Sequence, residues 1–580
     1  MKSFPLQHKM LRRLKLPYIQ VGTCEVMNLA SSFNMDSFIV FNRKNRGWYG
    51  SSVAAKARSG PGISANDAAK RAISHHQASF LGEMVAGGLL DSYTGREAST
   101  FVSNYLAKAF SMHTVLPSAL RTLLREDPSN PLVAIMMAAL ARRRSLHTEW
   151  ESLVTEWDLQ QYAISADAAF FRACNAGQRQ QSYPSVAETK STADNCLAPL
   201  PPEESGCRGV WFSATVTPTW LAQQQWHALK ERKEGLAPSP QRVLTAAEAD
   251  AEFQVRHLLA ETPICLDVAV GCLGNSRAFG VARNALTDGM RSLLDSSRER
   301  TVPLSVDHSP FRASEYRRVI QAGGKVDSVA GDVIDANPYY NVSRSFGHWS
   351  MKNDRRRSPV GQKMIALPTV KTWRMLPGDA LVLCNHAVFE TRHQDDSSMD
   401  ELAKVVGRGL SCEYPPEKIA ASLCDFAVRF GAEHSLQVTV AVAVSTNDGD
   451  PPPAGADDCG EPTPEYAEWV EPGPLYIGAC QRFPELRERL QQDCARCDTT
   501  LASLIRRRWE RVRDLLPTRH SLPLLSYYGK ECGVLQQVME EEAAFFEHEM
   551  LRDVTDADDP SLDLIFEKLA RRLQPNATAI

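Results

Sequence analysis

Residues 436–444 read LQVTVAVAV, a β-branched run that only the interior of a sheet buries on both faces. The runs DALVLCN, PICLDVAVGCLGNSRAFGVA and RGVWFSATVTP have the same character, and YIQVGTCEVM with DSFIVF gives two short strands over residues 18–41. Between these strands, residues 52–175 are rich in Ala and Leu at helical spacing, as in LVAIMMAALARRRSLHTEWESLV. PTWLAQQQWHALKERKEG reads as a helical excursion. Strands and helices are thus both present along the chain, though the pattern alone leaves their arrangement open.

The ends differ in composition. Before the first acid, Glu25, stand Lys2, Lys9, Arg12, Arg13 and Lys15, so residues 1–17 read as a basic arm leading into the first strand. An acid-free, Leu-bearing start also has the character of a mitochondrial presequence, the alternative to a cytoplasmic protein. Lys2 stands where N-myristoylation needs glycine. Residues 445–475 are Pro-, Gly- and acid-rich and read as a linker. Residues 476–580 read as amphipathic helices, with Leu501, Leu504, Ile505 and Leu515 forming a stripe that needs covering, and Arg506, Arg507 and Arg508 on a solvated face. Insertions are expected near 178–204 and 217–262. A net charge of -4 leaves no basic field for nucleic acid, and no apolar run approaches the length of a membrane span. The 14 cysteines are scattered, with Cys494 and Cys497 the one close pair, which suits reduced thiols and an intracellular protein.

The most specific block is LSVDHSPFRASEYRRVIQAGGKV followed by YNVSRSFG. It resembles the type 2C, metal-dependent protein phosphatases (PPM), whose pattern runs L-S-x-D-H-x-P, E-x-x-R-I, A-G-G-x-V and L-A-V-S-R-x-F-G-D. Leu304, Ser305, Asp307, His308, Pro310, Glu315, Arg318, Ala322, Gly323, Gly324, Val326, Val342, Ser343, Arg344, Phe346 and Gly347 match. GNSRAFG resembles the family's G-D-S-R-A strand, and Thr439 stands at the threonine of D-N-M-T-V. The resemblance spans residues 18–444 and implies an α+β fold, an α-β-β-α sandwich of two antiparallel sheets flanked by helices, with a C-terminal helical extension. Gly323 and Gly324 would serve a turn of positive φ. Asp307 and Arg344 are expected as a charge pair.

The resemblance also implies chemistry: hydrolysis of phosphoserine and phosphothreonine by water bridging two Mg²⁺ or Mn²⁺ ions held by carboxylates. This chain departs from the pattern at each position placed. Cys24 stands for the phosphate-binding arginine, and Asn28 and Leu29 stand for the acids of M-E-D. Asn42, Arg43, Lys44, Asn45 and Arg46 stand for D-G-H-G-G, and Asn275 for the aspartate of G-D-S-R. His348 replaces the aspartate of F-G-D, Asn385 that of the CDG motif (Cys384-Asn385-His386), and Leu436 the last metal ligand. Asp36, Glu390, Asp395 and Asp396 are the nearby acids that a rescued metal site would need, and His386 and His393 are too few for one. The expectation is a catalytically inactive pseudophosphatase, a scaffold or regulatory module binding proteins, phosphoproteins among them, with no catalytic residue and no metal. The alternative is a divergent active Mg/Mn-dependent phosphatase. Arg43, Lys44 and Arg46 form a basic turn suited to an anion.

Overall fold

The structure, a computed structural model, describes residues 9–26, 35–43, 83–95, 97–113, 156–180, 204–218, 264–282, 301–327, 333–337, 340–389, 397–429, 432, 434–445, 464–471 and 494–499. Its strands are β1 (Lys9–Lys15), β2 (Ile19–Val26), β3 (Met35–Asn42), β4 (Met84–Thr94), β5 (Gly206–Pro218), β6 (Ile264–Leu273), β7 (Arg277–Val281) and β8 (Thr301–Pro303). The short β9 (Val326–Asp327), β10 (Val333–Ile334) and β11 (Phe346–Gly347) precede β12 (Thr369–Met375), β13 (Ala380–Cys384), β14 (Leu436–Ala443) and β15 (Glu465–Glu471). The helices are α1 (Glu97–Met112), α2 (Glu156–Gln180), α3 (Ala313–Gln321), α4 (Ser397–Ser411) and α5 (Pro416–Arg429).

Two antiparallel sheets form the frame. One runs β15-β1-β2-β14-β13-β7-β8; the other runs β12-β6-β5-β4-β3, with β11 pairing the start of β5. Side chains alternate between faces, and the apolar clusters sort accordingly. Leu14, Val21, Leu383 and Ala441 meet Leu89, Val210, Phe212 and Val270 between the sheets. Leu11, Cys24, Leu436 and Val438 face α4 and α5, whereas Phe38, Leu90 and Trp211 face α1 and α2. The result is the expected helix–sheet–sheet–helix sandwich. Each fully buried Val, Leu or Phe in these layers contributes about 1.5–3 kcal/mol.

Three expectations change. The basic stretch is no arm: Lys9 pairs with Asp425 at 2.7 Å and Arg12 with Glu25 at 2.9 Å, both inside the sandwich. Burial that would expel unpaired charges is here compensated by carboxylates on neighbouring elements. The 445–475 linker is interrupted by β15, which pairs along the whole of β1 from Lys9↔Glu471 to Lys15↔Glu465. Glu465, Glu468 and Glu471 made this stretch read as solvated, yet the partners lie on β1, far away in the chain. The region 52–175 contains β4 as well as helices, and β4 lies between β5 and β3 in its sheet. The 132–154 helix, the excursion after Pro218 and the helices after residue 499 lie outside the described residues. Of the two glycines expected at positive φ, Gly323 has it (+79°), whereas Gly324 instead lies where a Cβ would sit 2.8 Å from Val319 Cγ1.

Candidate functional site

The registers bring one set of strand ends together. In the first sheet Val26 is opposite both Lys9 and Leu436, and Cys384 is opposite Val438 and Arg277. In the second, Asp91 is opposite Met35 and Arg208, and Leu273 is opposite Gly209. Ser37 joins the two ends, its hydroxyl donating across the gap to Glu25 Oε1 at 2.5 Å. This end gathers Glu25, Asp91, Arg208, Asn275, Asn385 and Leu436.

Asn42 and Arg43 lie at the opposite end. Asn42 is opposite Met84, seven residues before Asp91, roughly 23 Å along β4. There Asn42 Nδ2 donates to Phe110 O (2.7 Å) and His113 O (2.8 Å), capping the C-terminal end of α1. An aspartate has no N–H for this and would set a negative charge against the negative helix pole. Arg43 lies 3.5 Å from Glu83 and stacks on the Phe41 ring. Asn42 and Arg43 are thus remote from Asn385 and Leu436, and Arg43 is spent within the fold. Asn28, Leu29, Lys44, Arg46, Glu390, Asp395, Asp396 and His393 lie outside the described residues.

The carboxylate-bearing stretch at the correct end is Asp91-Ser92-Tyr93-Thr94-Gly95. It closes β4 and runs into α1, keeping the first aspartate and last glycine of D-G-H-G-G. That spacing was legible, but the Ala- and Leu-rich surroundings gave the segment a helical look. By strand alternation, Asp91 and Glu25 both face the gap between the sheets. Each is held by an arginine on the adjacent strand. Arg208 Nε reaches Asp91 Oδ2 at 3.0 Å, and Arg12 Nη1 reaches Glu25 Oε1 at 2.9 Å. Gln437 Nε2 donates to Glu25 at 3.2 Å, and Arg12 Nε to Glu468 at 2.9 Å. Burial works against charge on Arg12, but Glu25 and Glu468 raise its pKa, so it stays a cation.

The substituted positions are similarly committed. Asn385 Nδ2 donates to Ser435 O (2.9 Å), and its Oδ1 accepts from Gln437 N (3.0 Å), clasping the start of β14. Leu436 points the other way, into the apolar layer under α4 and α5. Cys24 also faces that layer, opposite to Glu25, and burial pushes its thiol pKa up. Asn275 sits in the β6–β7 turn, its Oδ1 buried and without a hydrogen bond among the described residues. His348 occupies a left-handed conformation (φ 57°) with its ring against Gly206, where a Cβ would meet Nε2 at 1.9 Å. Burial, then Lys352, pushes its pKa down to about 3, so the ring is neutral. Asp36 faces α1 and accepts from Ser99 Oγ (2.7 Å) and Thr100 Oγ1 (3.0 Å).

Two hard divalent cations need several ionised oxygens converging on one cavity. Among the described residues the donors do not fit them: Glu25 and Asp91 carry arginines, Asn385 is locked by backbone groups, and Leu436 offers no ligand. Among the described residues, no three His, Cys, Asp or Glu side chains are placed to hold a metal ion together.

The matching block between 304 and 347 is intact, and its contacts are internal. Glu315 accepts from Arg344 Nη2 and Arg318 Nη2 at 2.6 Å each and from Ser343 Oγ at 2.6 Å. Arg318 also donates to Gln362 O and Lys363 O, and Arg344 to Leu367 O. Burial opposes charge on Glu315, yet these donors hold its pKa well below the usual carboxylate range. His308 accepts at Nδ1 from Gly274 N (3.1 Å) and contacts Thr369 Oγ1 through Nε2 (2.7 Å). The expected Asp307–Arg344 pair does not form. Asp307 pairs with Arg277 at 2.8 Å, because Arg344 is turned to Glu315.

Comparison with known proteins agrees with this block. Residues 290–436 match the sequence profile described as Protein phosphatase 2C. "Protein phosphatase 2C 1" of Paramecium tetraurelia is 34% identical over 124 residues, covering 21% of this chain and 39% of that protein. "Protein phosphatase ppm-1.G" of Caenorhabditis elegans is 29% identical over 126 residues, covering 22% of this chain and 24% of that protein. The match spans less than half the length of either relative. Among solved structures, a phosphatase from a pathogenic strain of Toxoplasma gondii aligns with 79% of this chain and 99% of its own, at 15% identity and a TM-score of 0.43. A serine-threonine phosphatase 2C from Toxoplasma gondii aligns with 75% and 98%, at 11% identity and a TM-score of 0.40.

Proposed function

We propose that this chain, which carries a protein phosphatase 2C-type domain, is a pseudophosphatase that acts by binding proteins rather than by hydrolysing phosphoesters. The observation that carries this reading is the pairing of each gap-facing carboxylate with an arginine, Glu25 with Arg12 and Asp91 with Arg208. A guanidinium balances the charge of a carboxylate, but it cannot lower the pKa of a bound water as a divalent metal does. A cation added beside Arg208 would also meet its charge, a repulsion of several kcal/mol, on the order of 4 kcal/mol at about 4 Å.

The test is hydrolysis of p-nitrophenyl phosphate by the full chain with Mn²⁺ or Mg²⁺. The expected outcome is no turnover above the metal-only background and no metal-dependent rise in melting temperature. Turnover that Asp91→Ala removes would overturn the reading. It would favour a divergent active phosphatase, a second reading supported by the aspartate and glycine of Asp91-Ser92-Tyr93-Thr94-Gly95. Among the described residues no helix is long and apolar enough to cross a membrane.

A further inference from the structure

One surface of the domain combines exposed apolar side chains with a concentration of basic ones, and nothing covers it among the described residues. Phe311, Tyr316, Ile320 and Val360 are 40–45% exposed and are four of the eight large hydrophobic side chains exposed among the described residues. The Phe311 and Tyr316 rings stand 6.4 Å apart. Tyr316 and Ile320 are four apart on α3, so they share its outer face, while Glu315 and Val319 point inward. Beside α3 runs the turn carrying Arg355, Arg356 and Arg357. Gln362 Nε2 closes that turn onto Asp354 O (2.8 Å) and Arg357 O (3.2 Å), and Arg318 ties it to α3 through Gln362 O (2.6 Å).

The charge on this surface is one-sided. Arg312, Arg317, Lys325, Arg355 and Arg356 make no ion pair among the described residues. Of the acids nearby, Asp354 is taken by Arg357, Asp335 by Lys363, Asp307 by Arg277, and Glu315 by Arg318 and Arg344. Asp327 stands at the far end of the same segment. The surface therefore suits a peptide that combines several carboxylates with aromatic side chains.

We propose that the occupant is this chain's own segment 540–549, EEEAAFFEHE. It carries five glutamates and two phenylalanines and has no lysine or arginine. The 40 residues between Thr499 and Glu540 reach up to roughly 130 Å when extended, so the segment can meet α3 from any point on the domain. Tethering makes the encounter intramolecular, at an effective concentration on the order of millimolar, so modest affinity suffices for occupancy. The contact would regulate access of any other acidic partner to α3. It does not rest on the loss of catalysis, because the surface has the same charge in an active or an inactive domain.

The experiment titrates a fluorescent peptide of residues 537–550 into the full chain and into the full chain carrying Glu540→Lys, Glu541→Lys and Glu542→Lys. The expected result is binding at least about tenfold tighter to the variant, whose own segment has vacated the surface. Added Arg317→Glu, Arg355→Glu and Arg356→Glu should abolish that binding, with an unchanged circular-dichroism melt showing that the domain is folded. Peptide with Phe545→Ala and Phe546→Ala should bind more weakly, and raising ionic strength should weaken all binding. Equal affinity for both chains would overturn the proposal and leave the surface to an external acidic partner. Binding to neither chain, or binding indifferent to the arginine changes, would also overturn it. So would a concentration-dependent dimer in light scattering that the glutamate changes dissolve, since the occupant would then be a second copy.

Discussion

Two charged clusters in the same domain have had different fates. Around Glu315, the side chains of the phosphatase pattern are retained, and each carboxylate oxygen receives donors from Arg344, Arg318 or Ser343. Around Glu25 and Asp91, the pattern is broken, and arginines stand beside the carboxylates. The first cluster has all its partners within the fold, joining α3 to the 343–367 segment. In the second, Asp91 opens a stretch that keeps the first aspartate and last glycine of D-G-H-G-G, while Glu25 matches no carboxylate of the family pattern. A buried carboxylate with no bound metal beside it needs another positive partner, which Arg12 and Arg208 supply here.

Four measurements would test this contrast. The largest effect is expected for Glu315→Ala, which leaves Arg344 and Arg318 without their carboxylate. Urea unfolding should show a loss of about 3–5 kcal/mol, and a loss below about 1 kcal/mol would remove Glu315 from its structural role. Next, Asn385→Asp deletes the donor to Ser435 O and buries a charge beside it, for a cost of about 1–3 kcal/mol. If the gap could still hold metal, Mn²⁺ would restore the melting temperature of this variant; no restoration is expected.

The third measurement is pH. Burial, followed by Arg344, pushes His308 down to about 3, and burial with Lys352 does the same to His348, against 6.5 for a free imidazole. Both are neutral when folded and take up a proton near pH 6.5 when unfolded. Their stabilisation is therefore complete above 6.5 and is lost as pH falls toward 3. Each histidine costs about 1.4 kcal/mol per pH unit in that window. The urea midpoint should drop between pH 7 and 5.5, and His308→Gln should flatten the slope by about one proton. Glu315, with a depressed pKa, adds a further loss only below the ordinary carboxylate range. The smallest effect is expected for Lys363→Ala, which breaks a half-exposed pair with Asp335 at 2.8 Å. Calorimetry should show a change within about 1 kcal/mol; a larger loss would make the surface of α3 part of the structural cluster.

Much of the sandwich was legible before any coordinates. The block from Leu304 to Gly347 and the β-branched run 436–444 located the domain, and the losses at Asn385 and Leu436 stand at the strand ends where the registers converge. Other parts were hidden for specific reasons. β15 carries the glutamates of a linker, and only its pairing with the basic β1 turns both into sheet. Asp91 lies in a stretch whose composition suggests a helix, so the more conspicuous NRKNR turn took its place in the alignment. Register then put Asn42, where that turn begins, at the other end of β3 from Met35, the partner of Asp91.

Residue types and their order located the phosphatase-like block, and the resemblance it carries implied the helix–sheet–sheet–helix layering. Motif spacing acts over a few residues and is readable without the fold. Which arginine neutralises which carboxylate required the folded chain. Arg12 meets Glu25 and Glu468, and Arg208 meets Asp91, across 13, 456 and 117 positions of sequence. Such pairings are settled by strand register and burial, because a charge inside a sandwich is stable only beside the partner that packing brings to it.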